Sequence, residues 1–201
     1  MAQNFRAAEL GETMAAVAEL AAKAIALDPR DPLTWWASGR VRSVMAAHDE
    51  AIKHTEQAIS LNPNYAMAWF GLANALSRFD PTDYALSAVD KAIALSPFDP
   101  FMPVFVHVRG TLLYLLGRFE DAVKDLEQAI HLGGVSVWCH LTRALAYDEM
   151  DRKDLARKAV QDMLQEYPNF VPATALRVGP TLFRRKDDYE AILRELGVPE
   201  E

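Results

Sequence analysis

Five histidines, one cysteine and a surplus of carboxylates are the groups in this chain that could do chemistry. A metal centre needs converging donors, most simply histidines one helical turn apart. His48, His54, His107, His131 and His140 form no such pair, and Cys139-His140 is adjacent rather than spaced for chelation. The adjacency also fails as a nucleophile–base pair, because neighbours along a helix point to different faces. Cys139 therefore reads as a packing residue. Glu120-Asp121, Asp148-Glu149 and Asp187-Asp188 fall at helix ends or turns. Solvation and the helix dipole account for them there without acid–base catalysis. Gly110, Gly117, Gly133 and Gly134 take repeat-turn or packing roles and form no phosphate loop. The expectation is a chain with no catalytic residue, no metal and no cofactor.

The elements that carry these residues repeat. Pro29, Pro63 and Pro97 stand 34 residues apart; the next copy reaches Gly134 after 37, and Pro168 follows 34 later. Small residues keep the same beat: Ala24, Ala58, Ala92 and Ala129 share one slot, Ala51, Ala85, Ala122 and Ala156 another, and Gly39, Ala73, Gly110 and Ala144 a third. Self-similarity at this period marks stacked helix pairs, each burying its apolar side only against its neighbours. Two helices approach closely only where the facing side chains are small.

Punctuation places the helices. Asp31-Pro32, Asp80-Pro81 and Asp99-Pro100 each offer a carboxylate cap with proline in the first turn, and Asn64 offers a cap before Ala66. The prolines at 29, 63, 97 and 168 end the preceding helix, as Gly133-Gly134 does by backbone permissiveness. The three extra residues fall at 100–102, which predicts a helix over about 100–116 longer than its counterparts. Residues 12–28 read as the second helix of an incomplete first repeat, with residues 2–10 either a short partner helix or its continuation. At the other end, 171–178 begins a helix that Gly179-Pro180 stops. A last helix at about 187–196 then lies across the stack, with Tyr189, Ile192, Leu193 and Leu196 on its apolar side.

Composition bounds the function. The 201 residues are 51% hydrophobic and 24% charged, ordinary for one domain or a short solenoid. A net charge of −7 argues against nucleic acid as principal partner. Arg184-Arg185-Lys186 is followed at once by Asp187-Asp188 and reads as a solvated turn. A single cysteine allows no internal disulfide and requires no oxidising compartment. Pro103, His107 and Arg109 interrupt the apolar run at 101–117, so it reads as a buried helix and no membrane span is expected. The N-terminus lacks the order of a signal peptide, which predicts a cytoplasmic protein.

These spacings resemble the tetratricopeptide (TPR) family over most of the chain. Trp35 and Trp69 hold the family's tryptophan slot, Leu72 its leucine slot and Tyr147 its tyrosine slot. Val106 and His140 replace the tryptophan elsewhere, and Arg109 and Arg143 the leucine. The resemblance implies one all-α domain, a right-handed superhelix of antiparallel helix pairs. Its parts are a partial repeat at 1–31, four repeats at 32–65, 66–102, 103–136 and 137–170, and a C-terminal cap at 171–201.

A narrower likeness lies in the second half. Ala94-Leu-Ser-Pro-Phe-Asp-Pro100, Leu116-Gly-Arg-Phe-Glu-Asp-Ala122, Tyr167-Pro-Asn-Phe170 and the closing run from Phe183 to Glu200 resemble the TPR region of bacterial multidomain regulators. Those proteins carry nucleotide-cyclase or winged-helix DNA-binding domains. The likeness implies a cut-down or stand-alone sensory or assembly part.

In TPR arrays the first helix of each pair lines a concave groove that takes an extended peptide or partner helix. Carried over, those slots give Trp36 and Arg40 from the first full repeat, then Met67, Phe70, Asn74 and Arg78. The third repeat gives His107 and Tyr114, and the fourth Trp138 and Leu141. Trp36, Phe70 and Trp138 are the aromatic anchors, of the kind that dominate interface energy. The lysine, asparagine and arginine slots that clamp a chaperone's terminal carboxylate are matched only by Asn74. The implied function is a non-catalytic interaction scaffold in bacterial signalling or transcription regulation, with a protein or peptide partner. A second copy of the chain, joined through the apolar N-terminal end, is another candidate partner. The alternative is a small-ligand sensor whose Arg40, Arg78 and His107 hold an anion.

Overall fold

The computed structural model describes residues 2–133, 136–170 and 189–198. Every regular element among them is an α-helix: α1 (Ala2–Leu27), α2 (Pro32–Val44), α3 (His48–Leu61), α4 (Ala66–Phe79), α5 (Asp83–Leu95), α6 (Met102–Leu115), α7 (Phe119–Leu132), α8 (Val137–Glu149), α9 (Lys153–Glu166) and α10 (Tyr189–Glu195). The segment 171–178, the Gly179-Pro180 stop and the basic run at 184–186 lie outside the described residues.

Consecutive helices from α1 to α9 pair, and α2, α4, α6 and α8 also touch one another in series, whereas α3, α5, α7 and α9 do not. A stack whose first helices are in mutual contact and whose second helices are splayed is curved, with the first helices on the inside. α2, α4, α6 and α8 therefore form the inner layer.

The alanine beat is what allows this packing. Ala51, Ala85, Ala122 and Ala156 are completely buried, as are Ala58, Ala92 and Ala129. At Gly39 an added Cβ would lie 2.7 Å from the Thr55 methyl and 3.1 Å from the Ala51 carbonyl, so α2 rests directly on α3. At Gly110 it would lie 2.9 Å from Leu126. α1 shows the converse. Val17 occupies the Ala51 slot and is 38% exposed.

The turns inside the first, third and fourth repeats share one design. Arg118 N–H donates to Leu113 O, and Ala47 and Arg152 donate likewise to Arg42 and Tyr147, closing the helix end with a residue in the left-handed region. That residue is Gly117 (φ 79°) in one repeat but Ala46 and Asp151 (φ 58°) in others, where a side chain makes the conformation costly. The tryptophan slot tethers the turn between repeats: Trp35 Nε1 donates to Pro29 O at 2.9 Å, and Trp69 Nε1 to Pro63 O at 2.8 Å.

Several helix starts differ from expectation. Asp31 caps α2 through Leu33 N–H at 3.0 Å, as its sequence predicts. Asp80-Pro81 precedes α5, whose cap is Thr82, accepting from Ala85 N–H. Asn64 does not cap α4; Asn62 instead accepts from Asn64 N–H, turning the loop one step earlier. The expected long helix at 100–116 is also corrected: α6 is Met102–Leu115, 14 residues like α4 and α7. Asp99 accepts from Phe101 N–H at 2.9 Å and from Ser96 Oγ at 2.9 Å, so the three extra residues form a turn. That turn leaves Phe98 96% exposed. At the N-terminus α1 is one continuous helix.

The large core begins at Phe70 and runs through Phe105, Leu112, Leu126 and Leu141 to Met163, with Ile192, Leu193 and Leu196 of the last helix joining it. Lys153 Nζ bonds Asp148 at 2.6 Å and reaches Glu195 at 3.3 Å, linking α10 to the α8–α9 corner. Gly197 (φ 95°) ends α10.

Candidate functional site

The inner layer presents the predicted groove residues in two conditions. Trp36, Met67, Asn74, Arg78, His107 and Trp138 are partly exposed, and Arg40 is exposed. The expectation that Phe70, Tyr114 and Leu141 line the open face is corrected: they are 3%, 2% and 0% exposed. Phe70 stacks on Phe105 with ring centroids 4.6 Å apart, which closes the gap between α4 and α6. Tyr114 packs beside Phe119 at 6.0 Å, inside the α6–α7 pair. Such stacking adds to the area already buried and draws these rings into the wall.

Trp36 is held differently from Trp35. Its indole edge lies over α4 at Gly71, where an added Cβ would be 3.2 Å away. Tyr65 meets it edge-on at 6.0 Å, and the Arg40 guanidinium sits 5.9 Å from its ring centre. Its Nε1 is buried without a hydrogen-bond partner among the described residues. Burial and then the charge of Arg40 push the Arg78 guanidinium below its ordinary value.

Deeper in the stack the inner layer turns to histidine. Burial, with His140 nearby, brings His107 down to about 4, so it is neutral across the physiological range. His140, standing in the tryptophan slot, is also lowered by burial, against the opposing charge of Glu166 3.2 Å from Nε2. Cys139 is completely buried, its Sγ 3.6 Å from Leu126 O, and burial raises its thiol to about 12. A thiol held protonated in this way is a poor nucleophile. No group of three or more histidines, cysteines or carboxylates among the described residues could hold a metal. Among the same residues no helix is long and apolar enough to cross a membrane.

Arginines in the leucine slot were legible only as departures from the repeat pattern. Arg109 makes a two-pronged bond to Asp125 at 2.6 and 2.8 Å and reaches Asp90 at 3.4 Å. Arg143 lies 3.4 Å from Asp162. Each replaces an apolar contact between layers with an ion pair.

No family model matches the sequence, and no curated relative does. Solved structures do. The pilus biogenesis factor PilW is similar over 96% of this chain and 90% of its own, with TM-score 0.74 and 18% identity. TTC0263, a thermophilic TPR protein of Thermus thermophilus, is similar over 96% and 97%, with TM-score 0.67 and 21% identity. YrrB, described as a TPR protein with an unusual peptide-binding site, is similar over 89% and 91%, with TM-score 0.62 and 18% identity. Helix pairs, buried alanine slots and these neighbours agree on one conclusion: the chain is folded as a TPR solenoid.

Proposed function

We propose that this chain is a non-catalytic scaffold that holds a segment of a partner protein against its inner layer. The observation that carries the reading is the condition of that layer. On α2 and α4 it leaves Trp36, Arg40, Met67, Asn74 and Arg78 at least partly accessible. A concave, preorganised face with an aromatic and an arginine is where binding energy concentrates. YrrB, similar in fold, is described as having a peptide-binding site. The motifs at 94–100, 116–122 and 167–170 favour a place in bacterial signalling or transcription regulation.

Photo-crosslinking in extract of the source cells tests this directly. A photoreactive residue at Met67 or Asn74 should yield a discrete partner adduct, and one at Lys53 or Lys124 on the outer layer should not. Adducts confined to the outer positions would sink the reading.

A further inference from the structure

α1 carries two apolar stripes and uses one. Met14, Ala18, Ala21 and Ile25, spaced four, three and four residues apart, are its half-buried side. Among the described residues α2 is the one helix that α1 touches. Val17, Leu20, Ala24 and Leu27 recur three, four and three residues apart, the spacing of a seam between two helices. Yet Leu20 is 62% exposed and Leu27 87%. The same slots on α3 hold Ala51, His54, Ala58 and Leu61, and there both alanines are 0% exposed between α2 and α4. α1 also has 26 residues against 13 in α2, so it extends past the helix it rests on.

A fitting cover for the open stripe is the stripe itself. Laid antiparallel on its own copy about Leu20, it sets Val17 of one helix level with Ala24 of the other, a large side chain against a small one. The same register brings Glu19 level with Lys23 of the second copy, and does so twice. Both side chains are exposed and flank the stripe on one side. A parallel pairing would instead set like charges against each other. Charge along the chain agrees. Residues 1–45 hold five basic and five acidic residues, which leaves the net −7 to the remainder. Two copies therefore meet with least repulsion at this end.

We propose that two copies of this chain join through α1, packed antiparallel along Val17, Leu20, Ala24 and Leu27 and closed by reciprocal Glu19–Lys23 pairs. The contact uses the same surface on both copies, so it closes at a dimer. It stands independently of what the inner layer binds.

Sedimentation equilibrium of the full chain, over a concentration series reaching about 100 µM, tests it. The expected result is a monomer–dimer equilibrium. Leu20→Glu, shown folded by its thermal melt, should weaken the dimer about a hundredfold by placing two carboxylates in the seam. Glu19→Lys and Lys23→Glu should each weaken self-association about tenfold. Mixed together, those two variants should pair as tightly as the natural chain, because mixing restores both opposite-charge contacts. A chain that stays monomeric throughout the series overturns the proposal, as does a dimer indifferent to Leu20→Glu. A dimer lost with Leu20→Glu whose two charge variants fail to pair on mixing overturns the antiparallel register.

Discussion

The first full repeat and the third have the same skeleton and opposite interiors. In α2 only Ser38 and Gly39 are buried, and in α3 only Ala51, Thr55 and Ala58. In α6, eight residues are buried, including Phe105, Leu112 and Tyr114. Small side chains and turn residues are enough to build the hairpin; what fills the inner side decides whether it is wall or surface. The molecule is thus a firmly packed stack from α4 onward with an accessible first repeat. In a solenoid, stability is a sum of local and nearest-neighbour terms, so such a gradient persists without spreading evenly.

The most forceful way to break this comparison is to empty the packed end. Phe105→Ala should cost about 3–5 kcal/mol in urea unfolding, whereas Leu33→Ala at the accessible end should change stability by less than about 0.5 kcal/mol. Equal losses would erase the distinction. Gly39→Ala and Gly110→Ala probe the shared skeleton instead. Each gains helix propensity but drives a methyl into buried neighbours, so each should lose about 1–3 kcal/mol by the same measurement. A loss at Gly110 alone would show that only the third repeat is tightly closed.

Acid should act on the packed end. His107 sits at about 4, below its ordinary 6.5, so the unfolded chain takes up a proton first as pH falls. Stability is intact above pH 6.5 and should decline toward pH 4 by up to about 1.4 kcal/mol per unit from this group. His140, also lowered by burial, works in the same direction. His107→Leu should flatten the decline in a series of melts at stepped pH; an unchanged slope would remove His107 from the account. A smaller gain belongs to the accessible repeat. Ala46→Gly, at φ 58°, should raise its stability by up to about 1 kcal/mol, read as slower hydrogen exchange in α2 and α3.

The sequence carried the helix order and the stacking well, because Pro29, Pro63 and Pro97 and the alanine slots report on backbone approach, which is local and periodic. It carried the inner side less well. Whether Phe70 faces a ligand or Phe105 depends on how closely α4 and α6 approach, and nothing within one repeat encodes that distance. Arg109 and Arg143 read as faults in the leucine slot because their partners, Asp125 and Asp162, lie on other helices. The expected longer α6 does not form for a smaller reason: Asp99 commits its side chain to Ser96 and Phe101, and so turns a would-be helical turn into a loop.

That corner has a consequence for how the rod can change over time. Three additional residues were taken up between α5 and α6 without lengthening either helix, and the alanines on both sides kept their seats. Since closing a slightly longer loop adds little entropy cost, these outward corners are where length can vary and new recognition elements can be grafted. The groove would not register the change.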